Sequence, residues 1–172
     1  MPTEEVKSQP PASSEVRIGR HPHVPGSWLL ETEQWFPKDP DSVFAFFADA
    51  GNLETITPPW LQFRIVTPQP IEMHQGALID YRLRLHGLPF GWQTKITAWE
   101  PSRRFIDEQV RGPYRCWIHE HTFEPSETGT LVRDWVTYRA IGGVLVQKLL
   151  VERDLRTIFE FRRERLKGLL GS

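Results

Sequence analysis

Cysteine is nearly missing from this chain: Cys116 is the single one among 172 residues. No intramolecular disulfide can form, and a Cys-built zinc or iron–sulfur site has no ligands to draw on. An excess of one charge is missing too. Lys and Arg number 21 against 22 Asp and Glu, a formal net charge of −1, so no general attraction to nucleic acid or to an anionic membrane is expected. No run approaches the ~20 apolar residues a membrane-spanning helix needs. The opening MPTEEVKSQPPASSEV carries acidic residues and no apolar segment, unlike a secretory signal, so a cytoplasmic location is expected. Established catalytic motifs are absent as well: no nucleophile elbow, P-loop, dinucleotide-binding glycine fingerprint or HExxH zinc helix.

What is present is aromatic. Seven Trp and ten Phe stand in a chain of otherwise ordinary composition, 39% hydrophobic and 25% charged, with a length that suits one domain. Large rings fill a broad core and equally well line an apolar cavity. Residues 1–26 differ from the rest. Pro2, Pro10, Pro11, Pro22 and Pro25 with Ser13 and Ser14 leave too little apolar surface to offset ordering entropy, so a disordered arm is expected there. His21 and His23 in that arm are expected to be incidental.

From Ser27 to Phe36 the pattern reads as a first strand. Asp39-Pro40-Asp41 looks like a capped helix start, with Val43, Phe44, Phe46 and Phe47 at helical spacing behind it. A second short helix over 52–57 ends against Pro58-Pro59. The period then changes to two. Strands are expected at 63–67, 79–85, 92–98, 104–110, 114–124 and 130–139, joined by short turns and therefore antiparallel neighbours. Residues 143–170 contain no proline, and Leu145, Leu149, Leu155, Ile158, Phe159, Arg162 and Leu166 fall close to one helical face. Such a helix is long enough to lie across the whole sheet.

This order resembles the helix-grip, or START-like, superfamily. Local runs narrow the resemblance: Trp92 to Pro101, Phe105-Ile-Asp-Glu-Gln109, Gly112-Pro-Tyr114, Trp117-Ile-His-Glu-His121, Phe123-Glu-Pro125 and Val132-Arg-Asp134 look like the bacterial ligand-binding SRPBCC proteins, relatives of polyketide cyclases. The similarity spans roughly residues 28–168. It implies an α+β helix-grip fold over residues 27–170, a seven-stranded curved antiparallel sheet wrapped around a long C-terminal helix, with two short helices between strands one and two. It further implies a cavity between sheet and helix that holds a hydrophobic small molecule, such as a lipid, quinone or polyketide-like compound. No cofactor comes with the resemblance.

Strand parity places Phe105, Asp107 and Gln109 on one side, and likewise Trp117, His119, His121 and Phe123, and Val132, Asp134, Val136 and Tyr138. That shared face is expected to be concave. With Tyr81, Leu83, Trp92, Thr94, Tyr114, Leu155 and Phe159, these positions supply the candidate ligand-binding residues: Tyr81, Leu83, Trp92, Thr94, Phe105, Asp107, Gln109, Tyr114, Trp117, His119, His121, Asp134, Tyr138, Leu155 and Phe159. The aromatic members are as readily plain core. Two His beside two Asp can satisfy one another and fix strand register, or turn part of the network toward a ligand carbonyl or hydroxyl. The same His119, His121 and Asp107 are the catalytic candidates of an aromatase/cyclase alternative, joined there by Tyr81 and Tyr138. His119-x-His121 with Asp107 or Asp134 also has the residue types of a metal site, but the spacing is weak and the resemblance brings no metal, so none is expected. The Arg162-Arg163 pair with Arg165 reads as a solvated helix face. A non-catalytic binder leads; the enzyme and a protein-interaction module using the proline-rich arm remain the alternatives.

Overall fold

Side chains along Trp28–Phe36 alternate buried and half-buried without a break, as a strand with one face on a core must. The computed structural model describes residues 15–171. Eight strands form one antiparallel sheet: β1 (Arg17–Arg20), β2 (Trp28–Phe36), β3 (Arg64–Ile65), β4 (Leu78–Leu85), β5 (Leu88–Glu100), β6 (Arg104–Arg111), β7 (Tyr114–Ser126) and β8 (Gly129–Ala140). Their spatial order is β1-β2-β8-β7-β6-β5-β4-β3. The meander thus runs from β3 to β8, and β2 returns beside β8. Helices α1 (Pro40–Ala48) and α2 (Asn52–Thr55) carry the chain between the two ends of the sheet. Asp39 caps α1, its carboxylate accepting from the Ser42 backbone N–H at 2.8 Å and from the Ser42 hydroxyl at 2.7 Å, with Pro40 in the first turn.

Two expectations are corrected here. The sheet has eight strands rather than seven, and the additional one lies inside the supposed arm. Arg17–Arg20 pairs with Trp28–Glu31, and Val16 ahead of it is 3% exposed against Trp28, Leu30 and Leu155. Arg156 donates to the Val16 carbonyl at 2.6 Å. Residues 15–26 are therefore tied to the body; residues 1–14 of the expected arm lie outside the described residues.

Turn chemistry sets the register. His86 and Gly87 both have positive φ, 51° and 79°, so a two-residue turn joins Leu85 to Leu88 and β5 begins earlier than expected. At the β6–β7 turn, Gln109 grips Tyr114 twice, its amide donating to the Tyr114 carbonyl at 2.7 Å and accepting from the Tyr114 N–H at 3.2 Å. A Cβ at Gly112 would lie 2.3 Å from the Gln109 side-chain oxygen, which explains glycine there.

The C-terminal helix is not uniform. Its first turn, α3 (Gly143–Val146), runs into a π-turn (Gln147–Val151) before α4 (Glu152–Leu170). The π-turn takes up one extra residue, about 100° of helical phase. Leu145 and Leu149, expected on the inner face, are instead 71% and 63% exposed. Gln147 turns inward in their place, 1% exposed, and donates to the Tyr138 hydroxyl at 2.6 Å. Beyond the π-turn, Leu155, Phe159, Leu166 and Leu170 face the sheet as an amphipathic helix should. Among the described residues the core falls into three clusters. One gathers Phe36, Phe44, Phe105, Phe123 and Leu166; a second Trp28, Leu30, Trp117, Tyr138 and Phe159; a third Ala50, Ile79 and Tyr81.

Candidate functional site

Where the three clusters meet, the sheet and α4 fail to close on each other. A pocket of about 200 Å³ remains between them. Close-packed interiors seldom leave such space. Its walls are the concave faces of β4 to β7 (Ile79, Tyr81, Leu83, Trp92, Thr94, Ile96, Phe105, Trp117), the α4 side chains Leu155, Ile158 and Phe159, and the underside of α1–α2 with the loops that follow (Phe46, Phe47, Ala50, Leu53, Ile56, Met73). Nearly all of that lining is hydrocarbon or aromatic ring. Edge-to-face contacts stiffen it: Trp92 meets Trp117 at 5.3 Å between ring centres and Tyr114 at 5.7 Å. The Trp92 indole N–H is satisfied by the Thr94 hydroxyl at 3.0 Å, so it presents no free donor to the pocket.

One end of the pocket is polar. Register brings Asp107 opposite His119, and His121 opposite Asp134, on the three adjacent strands β6, β7 and β8. The two imidazoles lie 3.8 Å apart centre to centre. Each places one ring nitrogen toward Asp134 and the other toward Asp107. His119 Nε2 is 3.3 Å from Asp134 Oδ1, while its Nδ1 is 3.7 Å from Asp107 Oδ2. His121 Nδ1 lies 2.5 Å from Asp134 Oδ1, in ion-pair contact but outside hydrogen-bonding alignment, and its Nε2 is 3.5 Å from Asp107 Oδ2. Phe105 stacks on His121 at 4.2 Å, and the Phe159 ring centre stands 5.8 Å from that of His119.

Burial and charge set the ionisation of this group. For His119, burial and the neighbouring His121 lower the pKa, outweighing the two carboxylates. For His121 burial also disfavours the charged form, but the Asp134 charge and the contacts to Asp107 and Asp134 raise its pKa overall. Burial would raise Asp134; the charges of His121 and Arg162 and the contacts from both imidazoles hold it well below the usual carboxylate range. Burial and neighbouring charge thus drive the two imidazoles in opposite directions, His119 downward and His121 upward.

Of the sequence-predicted site residues, Tyr81, Leu83, Trp92, Thr94, Phe105, Asp107, Tyr114, Trp117, His119, His121, Leu155 and Phe159 border the pocket. Gln109, Asp134 and Tyr138 do not. Gln109 is spent on the β6–β7 turn, Asp134 stands behind the imidazoles, and Tyr138 is bonded to Gln147. Arg162 corrects the expectation of a solvated arginine face. It borders the pocket, its Nε is buried without a hydrogen-bond partner, and its guanidinium lies 5.6 Å from the centre of the Phe47 ring. Its place in the apolar spacing of α4, beside Leu155, Phe159 and Leu166, was the available signal. The α1–α2 wall was not foreseen, because nothing local says which side of a short helix will dock over a cavity.

Comparison with known proteins gives one family and one fold. Residues 36–167 match the family described as "Polyketide cyclase / dehydrase and lipid transport". No curated protein matches the chain. Among solved structures, protein Ms6760 from Mycobacterium smegmatis superposes with a TM-score of 0.64 at 15% identity, covering 92% of this chain and 98% of that one. The ginseng major latex-like protein 151 from Panax ginseng gives 0.62 at 11% identity, covering 84% and 98%. Protein TTHA0849 from Thermus thermophilus gives 0.58 at 19%, covering 82% and 98%. At these identities the likeness is one of fold. No helix among the described residues is long and apolar enough to cross a membrane.

Proposed function

Because this chain belongs to the polyketide cyclase/dehydrase and lipid transport family, we propose that it binds an apolar small molecule in the pocket between its sheet and α4. The observation that carries this reading is the pocket's own composition. Its walls are mostly aromatic and aliphatic, and its ionisable groups Asp107, His119, His121 and Arg162 stand together. A guest that covers those apolar walls removes their surface from water, worth about 25 cal/mol per Å². Lipid, quinone and polyketide-like compounds have the required apolar body.

Native mass spectrometry of the purified protein, followed by stripping and a thermal-shift panel of those three classes, tests the proposal. A guest at one hundred times its Kd stabilises the fold by about 2.7 kcal/mol, which for a chain of this size is a rise in Tm of about 5–11 °C. Neither a copurified guest nor a shift from any of the three classes would remove the proposal.

An aromatase/cyclase-type reaction is the second reading, favoured by the same His–Asp group bordering the pocket. A guest carbonyl there would meet imidazoles already oriented by Asp134. His119→Gln should then abolish turnover of a poly-β-keto substrate while far-UV circular dichroism stays unchanged.

A further inference from the structure

The pocket's polar end has a geometry that neither an apolar guest nor a closed hydrogen-bond network requires. One ligand atom from each of His119, His121 and Asp107 lies within 4.8 Å of the other two, and His119 Nδ1 and His121 Nε2 both approach Asp107 Oδ2. At 3.7 and 3.5 Å the two His–Asp107 separations are too long for hydrogen bonds. The three atoms converge without bonding one another. Donors held at about 2.0–2.2 Å in a tetrahedral shell stand about 3.3–3.6 Å apart. The His121–Asp107 contact falls within that spacing, and the His119–Asp107 contact exceeds it by about 0.1 Å.

The remaining nitrogens strengthen the case. Metal-binding imidazoles as a rule present their second nitrogen to a carboxylate or carbonyl, which fixes the ring and its tautomer. Here Asp134 Oδ1 is hydrogen-bonded to His119 Nε2 at 3.3 Å and lies in ion-pair contact with His121 Nδ1 at 2.5 Å. All four residues sit on two rungs of a paired sheet, Asp107 opposite His119 and His121 opposite Asp134, so the group is held by rigid backbone rather than by a loop. Two carboxylates balance the charge of a divalent ion. Three protein ligands leave coordination positions open, and the three ligands all border the pocket, so those positions face the space a guest would enter.

We propose that His119, His121 and Asp107 form a binding site for a divalent first-row transition-metal ion, with Asp134 as the carboxylate that orients both imidazoles. Two imidazoles and one carboxylate suit zinc, iron, cobalt or nickel; calcium and magnesium call for a shell of oxygens. The bound ion would offer its open positions to a carbonyl or hydroxyl oxygen of a molecule in the pocket. The site stands apart from the apolar-guest proposal: three such atoms take up an ion whether or not a guest enters, and a failed guest screen leaves metal binding untouched.

The test is a titration of the full chain, first treated with chelator and dialysed, with Co²⁺ alone. One ion per chain is expected, with visible ligand-field absorption of a nitrogen–oxygen site and displacement by Zn²⁺. Asp107→Asn preserves side-chain size and should weaken binding by about 100-fold or more, and Asp134→Asn by about 10–100-fold. The double variant His21→Ala/His23→Ala removes the exposed histidine pair near the N-terminus and should leave the tight site intact. Wild-type protein that binds neither Co²⁺ nor Zn²⁺ below millimolar concentration overturns the proposal. So does tight binding that survives Asp107→Asn but disappears with His21 and His23. Should Asp107→Asn fail to fold, proton NMR of the Co²⁺-loaded wild type decides: paramagnetically shifted imidazole N–H signals from two histidines support the site, and their absence refutes it.

Discussion

Ala50→Leu offers the sharpest check on whether the interior is a pocket or a packed core. Ala50 sits in the bend between α1 and α2, 8% exposed, bordering the pocket beside Ile79 and Tyr81. Leucine adds three carbons there. If they enter empty apolar space, each is worth about 0.8 kcal/mol, together about 2.4 kcal/mol of added stability. For a chain of this length that raises Tm by about 5–10 °C. In a solid interior the same carbons would overpack and cost about 1–3 kcal/mol, lowering Tm instead. The two outcomes differ in sign. Thermal unfolding followed by far-UV circular dichroism reads the change, and a guest titration on the same sample should show affinity reduced by about tenfold or more, since about 1.4 kcal/mol of lost contact already does that. A falling Tm, or a rising one with guest affinity unchanged, would refute the assignment of this space as the binding cavity.

Three further outcomes are expected. All three tyrosines of the chain are shifted upward by burial, Tyr138 to about 12 and Tyr81 and Tyr114 further. Stability from these groups is whole below pH 10 and falls as pH rises toward their folded values, by about 1.4 kcal/mol per pH unit for each; tyrosinate absorbance should therefore appear only with alkaline unfolding, and a step near pH 10 in folded protein would contradict this. Tyr138→Phe strands the buried Gln147 amide that donates to its hydroxyl, at a cost of about 1–3 kcal/mol in urea unfolding, and adding Gln147→Leu should restore most of it. A chain begun at Ser27 loses β1 and the burial of Val16, itself about 1.5–3 kcal/mol, so its Tm should drop by several degrees; an unchanged Tm would return residues 15–26 to a loose arm.

How much of this was legible in the residues follows from what kind of signal each feature leaves. Period-two alternation placed β4 through β8, and parity alone put Asp107, His119, His121 and Asp134 on one concave face, because a strand's side chains have only two directions to take. The same rule could not say that these four stand on two successive rungs of the same face. That depends on register across β6, β7 and β8, which the turns at Gly112-Pro113 and Glu127-Thr128 set. Strand β1 was missed for a different reason. Arg17-Ile18-Gly19-Arg20 buries almost nothing of itself and owes its conformation to the free edge of β2, a long-range partner with no local trace.

The misplacement of Leu145 and Leu149 on the C-terminal helix has one cause. A helical wheel assumes constant phase, and the π-turn at Gln147–Val151 breaks it, exchanging Leu145 and Leu149 for Gln147 on the inner face. Phase is recovered in α4, and there it places Arg162 among Leu155, Phe159 and Leu166, toward the pocket. A cation in an apolar stripe is costly unless something nearby uses it. Here its charge helps keep Asp134 ionised, and Asp134 is the residue against which both imidazoles are set. The one arginine that departs from the polar pattern of its neighbours thus belongs with the polar end of the pocket, physically continuous with the group that His119 and His121 form.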